Sequence, residues 1–399
     1  MRYLNKRIVW GVWLLLGGGA LNGEAVEEIP IRIESLEAIE GLHDWDWTHA
    51  RTAFVERGTK PYLITTMSQT AREGSHGYHD VYESFSWDRG RSWTLPRLIS
   101  SLRRRQHADG YSVAPGDLWP TWHAASSSLL VTGKTFNFLG GRDEDFLREA
   151  VSYAVKGSDA ASWGAMKTVA MPRSDRRGFP ILAPNAGCNQ PFVLPDGSIL
   201  LPVRYQRDRE RRIYTSIVAR CEFDGHTLSY QSHGTEHSIP KGRGLYEPSL
   251  TQFGDRFFLT LRADDGAYVC RGDDGIHFGP AREWHFDDGS LLGSYNTQQH
   301  WVTVGGGLFL VYTRRGANND HIFRHRAPLF IAQVDPEALV VIKATERVLL
   351  EENDACLGNS GICRVNDRES WVTCGEVQVN DGARKGERNR VLFARILAD

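Results

Sequence analysis

Apolar residues along this chain fall into short runs of four to six, separated by turns rich in Asp and Gly. Tyr62 to Thr66, Ser128 to Thr132, Ser198 to Val203, Phe257 to Leu261, Leu308 to Tyr312 and Ser370 to Thr373 are such runs, and many follow a turn containing Gly or Asp. Runs of this length bounded by turn residues read as β-strands. Helical periodicity is scarce beyond the N-terminus, so the pattern predicts an all-β protein. The N-terminus is different: Arg2, Lys6 and Arg7 precede an apolar stretch from Ile8 to Leu21, and Gly23, Glu24 and Ala25 follow. That is the layout of a secretory leader, too short to span a bilayer, which needs about 20 apolar residues. The expected organisation is therefore a signal peptide over 1–25, a single domain over 26–399, and a secreted or periplasmic protein.

A turn pattern repeats within the domain. SWDRGRSW places Ser86, Asp88, Gly90 and Trp93 in the order S-x-D-x-G-x-x-W, and RGDDGIHF keeps Asp273, Gly275 and Phe278. Weaker relatives occur at Ser158, Asp159 and Trp163, at Asp224 and Gly225, and at Asp335. The acidic positions recur at intervals of roughly 50 to 70 residues, the size of a propeller blade. In such a turn the carboxylate accepts hydrogen bonds from the backbone and the aromatic residue pins the hairpin to its blade. These acids are scaffold. About 370 residues at about 60 per blade give a six-bladed β-propeller, with seven shorter blades as the alternative.

Composition narrows the function. Forty-seven Lys and Arg against 49 Asp and Glu leave a net charge of −2, so no overall field draws nucleic acid or an anionic membrane to this chain. Any selectivity for anions must be local. The six cysteines, Cys188, Cys221, Cys270, Cys356, Cys363 and Cys374, suit an oxidising compartment, and the last three lie close enough for one local bridge; small buried residues are the alternative reading. None forms a C-x-x-C pair or a Cys/His cluster with zinc-finger spacing, so spacing supplies no metal site, and no cofactor is implied.

Four further segments carry candidate chemistry: HARTAF with Arg51, GYHDVYES with His79 and Asp80, YEPSLTQFGDRFFLTLR with Tyr246, Glu247 and Arg262, and VYTRRGANNDHIFRHRAPLF with Arg314, Arg324 and Arg326. Together with GNSGICRVNDRESWVTCGE, which holds Asn359 and Glu376, their order resembles that of the sialidase (neuraminidase) superfamily of Asp-box, or BNR-repeat, propellers. The resemblance implies a sialidase-type propeller. It casts Arg51, Arg262 and Arg326 as a triad holding a substrate carboxylate, with Arg324 and Arg314 as competitors for the third place. Glu376 would orient Arg51, Asp80 would be the general acid and Glu247 the base. It also puts Asn359 where the family carries its nucleophilic tyrosine. An amide cannot attack an anomeric carbon as a phenolate does. Tyr246 or Tyr312 could supply the phenol, water or another residue could replace it, or the site could bind without turnover.

Independently of any family, a guanidinium matches a carboxylate bidentately and keeps its charge at working pH, so several around one pocket imply a carboxylated ligand. Sialic, other ulosonic and uronic acids qualify. Asn296, Gln298, Gln299 and His300, with His123, Arg204 and Tyr205, are further candidates for a sugar pocket. The expectation is a monomeric exo-acting glycoside hydrolase removing a terminal acidic sugar from a glycan. The alternatives are a propeller-type uronate lyase or rhamnosyl-glucuronate hydrolase using His79, His123 or His300, and a carbohydrate-binding propeller without catalysis.

Overall fold

Six small antiparallel sheets stand in a ring, forming a six-bladed β-propeller. The computed structural model describes residues 27–41, 45–71, 77–139, 143–157, 160–377 and 390–398; the expected leader lies outside them. The innermost strands of blades 1 to 6 are Trp45–Val55, Tyr111–His123, Leu182–Asn185 with Phe192–Val193, Tyr246–Phe253, His300–Val304 and Gly361–Asn366. The ring closes by strand exchange between the chain's two ends. Ile31–Ile39 forms the outer edge of blade 6, pairing Ile31 with Ala398 and Leu36 with Phe393, so the first described strand completes the last blade.

Five of the six segments named above fall within observed strands, and the sixth, Ser198 to Val203, does so from Ile199. The reason they are short apolar runs is that each sheet is covered on both faces. Six apolar layers lie between successive blades. Trp47, Trp371 and Phe393 fill the layer between blades 6 and 1; Leu130, Tyr153 and Ile217 fill that between blades 2 and 3. Two faces buried means near-continuous hydrophobic strands rather than strict alternation.

The acidic turns occupy one topological place, between the third and fourth strands of a blade. Asp88 accepts from Ser92 N at 2.9 Å and Ser92 Oγ at 2.6 Å, while Trp93 stacks on Phe393 of blade 6 at 4.4 Å. Asp224 and Asp335 likewise accept two backbone N–H groups each. In blade 4 the holding residue is Asp274, not the expected Asp273: its carboxylate takes the N–H groups of Ile276 and His277. Ser158 and Asp159 lie outside the described residues.

The six cysteines are all buried free thiols, so the expected local bridge is not formed. Cys363 belongs to the layer between blades 6 and 1, whereas Cys356 and Cys374 belong to that between blades 5 and 6. The Cys356 and Cys374 thiols each face a backbone carbonyl, of Phe323 and Leu357 respectively. Among the described residues no helix is long and apolar enough to cross a membrane.

Candidate functional site

The innermost strands share one direction around the axis, so their starts converge at one mouth and their ends at the other. Partway along, the shaft is closed by a buried layer. Arg51 donates to the carbonyls of Ser360 and Leu118 and to Gln298 Oε1, each at 3.2 Å, and lies over the Trp119 ring. His300 bonds Ser249 Oγ at 2.8 Å and Gln298 Oε1 at 3.2 Å. Beyond this plug, a cavity of about 700 Å³ opens between the strand ends, lined by Thr52, Trp122, Phe192, Phe253, Val304 and Arg364 among others. The charged residues lining it are exposed; the buried ones gather on the opposite side of the plug.

There the inner strands share one irregularity. His49, Asp117, Cys188, Glu247 and Asn296, one from each of blades 1 to 5, have left-handed backbones with φ of 50°, 55°, 65°, 46° and 48°. Pairing slips at Thr48/Arg51, Gly116/Trp119 and Tyr246/Ser249. A bulge inserts a residue and re-aims its side chain, at a cost of about 1–3 kcal/mol for a non-glycine residue held in this region. Five such residues converging on one axis mark it as the place where the fold stores strain.

Their contacts join into one network. His49 Nε2 lies 2.7 Å from Asp117 Oδ1. Arg262 bonds Glu247 Oε2 at 2.5 Å and Asn296 Oδ1 at 2.6 Å, while Arg326 donates to the Asn296 carbonyl at 2.7 Å. Behind Asp117, Glu149 accepts from Lys134 at 2.9 Å, Arg204 at 3.1 Å and Asn185 at 2.9 Å. Four cations, Lys134, Arg204, Arg262 and Arg326, thus face three carboxylates, Asp117, Glu149 and Glu247, with Arg51 in the plug beneath them. The Nε atoms of Arg204, Arg262 and Arg326 are buried without an acceptor. Buried charge is costly unless paired, so this surplus of donors is an electrostatic demand for an anion.

The charge states follow from this setting. Burial, reinforced by the neighbouring charges of Arg262 and Arg324, pulls Arg326 down to about 10. Burial opposes ionisation of Glu247, but Arg262 and Arg204 outweigh it and hold the carboxyl below its ordinary value. For Asp117 burial is likewise overcome, by His49, Lys134 and Arg51, and the group is strongly acidic.

Of the residues singled out from sequence, Arg262, Arg326, Glu247 and Tyr246 come together here, and Arg324 stands at the rim, close enough to feel the charges of Arg262 and Arg243. Arg314 does not, being held by Glu346 at 2.5 Å. Arg51 lies one layer too deep, because the bulge before it gives the pocket position to His49. Glu376 does not orient it: that carboxylate bonds Arg390 and Asn353, each at 3.0 Å. Asp80, on the third strand of blade 1, has its oxygens taken by the Arg104 N–H at 2.8 Å and the Arg103 guanidinium at 3.4 Å. Asn359 links blades 5 and 1 through Gln298 at 3.1 Å and Thr48 at 3.4 Å.

Both phenols named as replacements for the nucleophile are hydrogen-bonded to carboxylates. Tyr246 is buried with its hydroxyl on Asp264 at 2.7 Å, and burial pushes its pKa up to about 12; Tyr312 donates to Glu346 at 2.5 Å and is raised further by burial. His123 bonds Ser126 and the Gly197 carbonyl, His79 packs on Trp45, Tyr205 donates to Asp175, and Gln299 bonds Ser294.

Sequence reasoning missed His49, Asp117, Lys134, Glu149, Asn185 and Cys188. One signal was available: Gly116 and Gly187 immediately precede Asp117 and Cys188, and glycine in a strand marks a bulge or a close approach. A Cβ on Gly187 would sit 2.7 Å from Asp117 Cβ.

No family model and no curated protein matches the sequence. Solved structures do match the fold. A Trypanosoma rangeli sialidase with a bound inhibitor superposes with a TM-score of 0.63 at 14% identity, over 92% of this chain and 60% of that one. The NanB sialidase of Streptococcus pneumoniae gives 0.58 at 10% identity, over 90% and 70%. A Dyadobacter fermentans protein of unknown function gives 0.59 at 13% identity, over 92% and 99%. This chain is a six-bladed propeller of the architecture sialidases use, and it spans about 60% of the trypanosomal enzyme's length.

Proposed function

We propose that this protein is an exported glycoside hydrolase that removes a terminal carboxylated sugar, with the sugar's carboxylate held by Arg262 and Arg326 and approached past Arg324. One observation carries the reading: the cations buried at the propeller axis, Lys134, Arg204, Arg262 and Arg326, outnumber the three carboxylates there, and three guanidinium Nε atoms lack an acceptor. A bound carboxylate would pair with Arg326 and the free Nε of Arg262 without disturbing the bond from Arg262 to Glu247. Glu247, ionised and turned into the pocket, is the base that would take a proton from an attacking water. Water fits better than a covalent phenolate, since the hydroxyls of Tyr246 and Tyr312 are already spent on carboxylates.

That same observation supports a second reading, a propeller that binds the acidic sugar without cleaving it. A lyase built on His79, His123 or His300 is less favoured, because each is committed to the scaffold. The deciding experiment incubates purified protein with a fluorogenic sialoside and a panel of uronic-acid oligosaccharides, following free sugar and near-ultraviolet absorbance. Release of free sugar that disappears in Arg262→Ala supports hydrolysis. Binding by calorimetry without release supports the second reading, and a rise in absorbance from an unsaturated uronate overturns both.

A further inference from the structure

The network holds one cluster that an anionic sugar does not explain. His49, Asp117 and Cys188 come from three successive blades, and their donor atoms lie within 4.8 Å of one another. His49 is 3% exposed and Cys188 2%, so two of the three are removed from bulk water. An imidazole bound to a carboxylate is common and needs only two blades. Here a third strand brings in a thiol. The Cys188 N–H donates to the Asp117 carbonyl at 3.0 Å, locking the two strands side by side, and Gly187 permits the approach. His49 Nδ1 is buried with no partner, although its Nε2 faces Asp117.

We propose that His49, Asp117 and Cys188 bind a divalent transition-metal ion of the zinc type. The donor set is nitrogen, oxygen and sulfur, which suits a borderline-soft ion rather than calcium or magnesium, whose ligands are all oxygen. Around one tetrahedral zinc ion with bonds of about 2.0–2.3 Å the donors stand about 3.3–3.7 Å apart, so the cluster closes on one ion with shifts of up to about 1 Å. Asp117 is already ionised, so binding the divalent ion with release of the Cys188 proton raises the pocket charge by one, an increase that an anion in the open coordination position would offset. Lys134, 3.9 Å from Asp117 Oδ2, makes its shorter bond to Glu149, which leaves the Asp117 carboxylate available. Three protein ligands leave a coordination position open, the arrangement of zinc sites that act on a ligand rather than merely brace a fold. Cysteine spacing could not reveal the site, because each ligand lies about one blade from the next. The proposal stands whether or not the pocket cleaves a sugar.

The test uses the full chain, stripped with chelator and then offered Zn²⁺ or Co²⁺. The expected result is one equivalent of zinc retained through gel filtration, and a cobalt form showing a thiolate-to-metal charge-transfer band in the near ultraviolet. Cys188→Ser should abolish that band while cobalt still binds, and His49→Gln should weaken zinc binding at least 10-fold. Failure to retain zinc overturns the proposal, as does a band that survives in Cys188→Ser. If the variants do not fold, X-ray absorption of the zinc-loaded wild type decides: one sulfur in the first shell supports the site, and a shell of nitrogen and oxygen alone refutes it.

Discussion

Arg326 and Arg262 sit side by side in the axial pocket, yet only the replacement of Arg262 with methionine should destabilise the protein. Arg262 is the counterion of Glu247, at 2.5 Å. Removing it leaves a carboxylate that is largely buried without a partner, a change that costs about 3–5 kcal/mol. Among the described residues Arg326 has no carboxylate partner, and the fold holds its pKa at about 10 against an ordinary 12.5. At 1.36 kcal/mol per unit, keeping that guanidinium charged costs roughly 3 kcal/mol in the empty pocket. Against this stands one charge-assisted hydrogen bond, to the Asn296 carbonyl, of about 1.5–3 kcal/mol. The balance predicts that Arg326→Met is neutral or stabilising by up to about 1.5 kcal/mol, while Arg262→Met is clearly destabilising. Denaturant unfolding at pH 7 measures both. Affinity for a carboxylated sugar, measured by calorimetry, should fall in Arg326→Met by about 2–5 kcal/mol. If Arg326→Met destabilises the protein as much as Arg262→Met, or leaves sugar affinity intact, Arg326 is an ordinary structural arginine and the argument from surplus charge fails.

Glu247→Gln should reduce glycoside hydrolysis at least 100-fold while carboxylate binding holds or tightens, because Arg262 loses its resident anion; equal loss of both in kinetics and calorimetry would contradict the assigned role. Burial pulls His237 down to about 4, so the unfolded chain takes up its proton first as the solution is acidified. The resulting stability is complete above pH 6.5 and lost between pH 6.5 and 4, up to roughly 3 kcal/mol, and His237→Phe should flatten that part of an unfolding-versus-pH curve. Gly90 turns at φ of 77°, and a Cβ there would lie 2.2 Å from the Trp371 ring of blade 6. Gly90→Ala should therefore cost about 2 kcal/mol or more in urea unfolding, and a loss under about 0.5 kcal/mol would mean that this turn does not pin blade 1 to blade 6.

Strand positions, blade number and the acidic turns were legible in the sequence because each depends on residues near one another in the chain. An apolar run between turn residues becomes a strand wherever it lies, and Asp88 needs only Ser86 and Ser92 to hold its turn. Even there the limit is about one residue, as Asp274 in place of Asp273 shows. Arg262, Glu247 and Tyr246 were also accessible, since a single hairpin pairs Tyr246 with Arg262. Only the tertiary structure decided which side chains share the pocket. A bulge of one residue sends His49 into the axis and Arg51 into the plug, and alternation along a strand cannot predict it, because the bulge is stabilised by partners in other blades. Glu376 was legible as an acid but not as the partner of Arg390. His49, Asp117 and Cys188 meet because six blades close a ring, so their chemistry belongs to the closed ring rather than to any stretch of the chain.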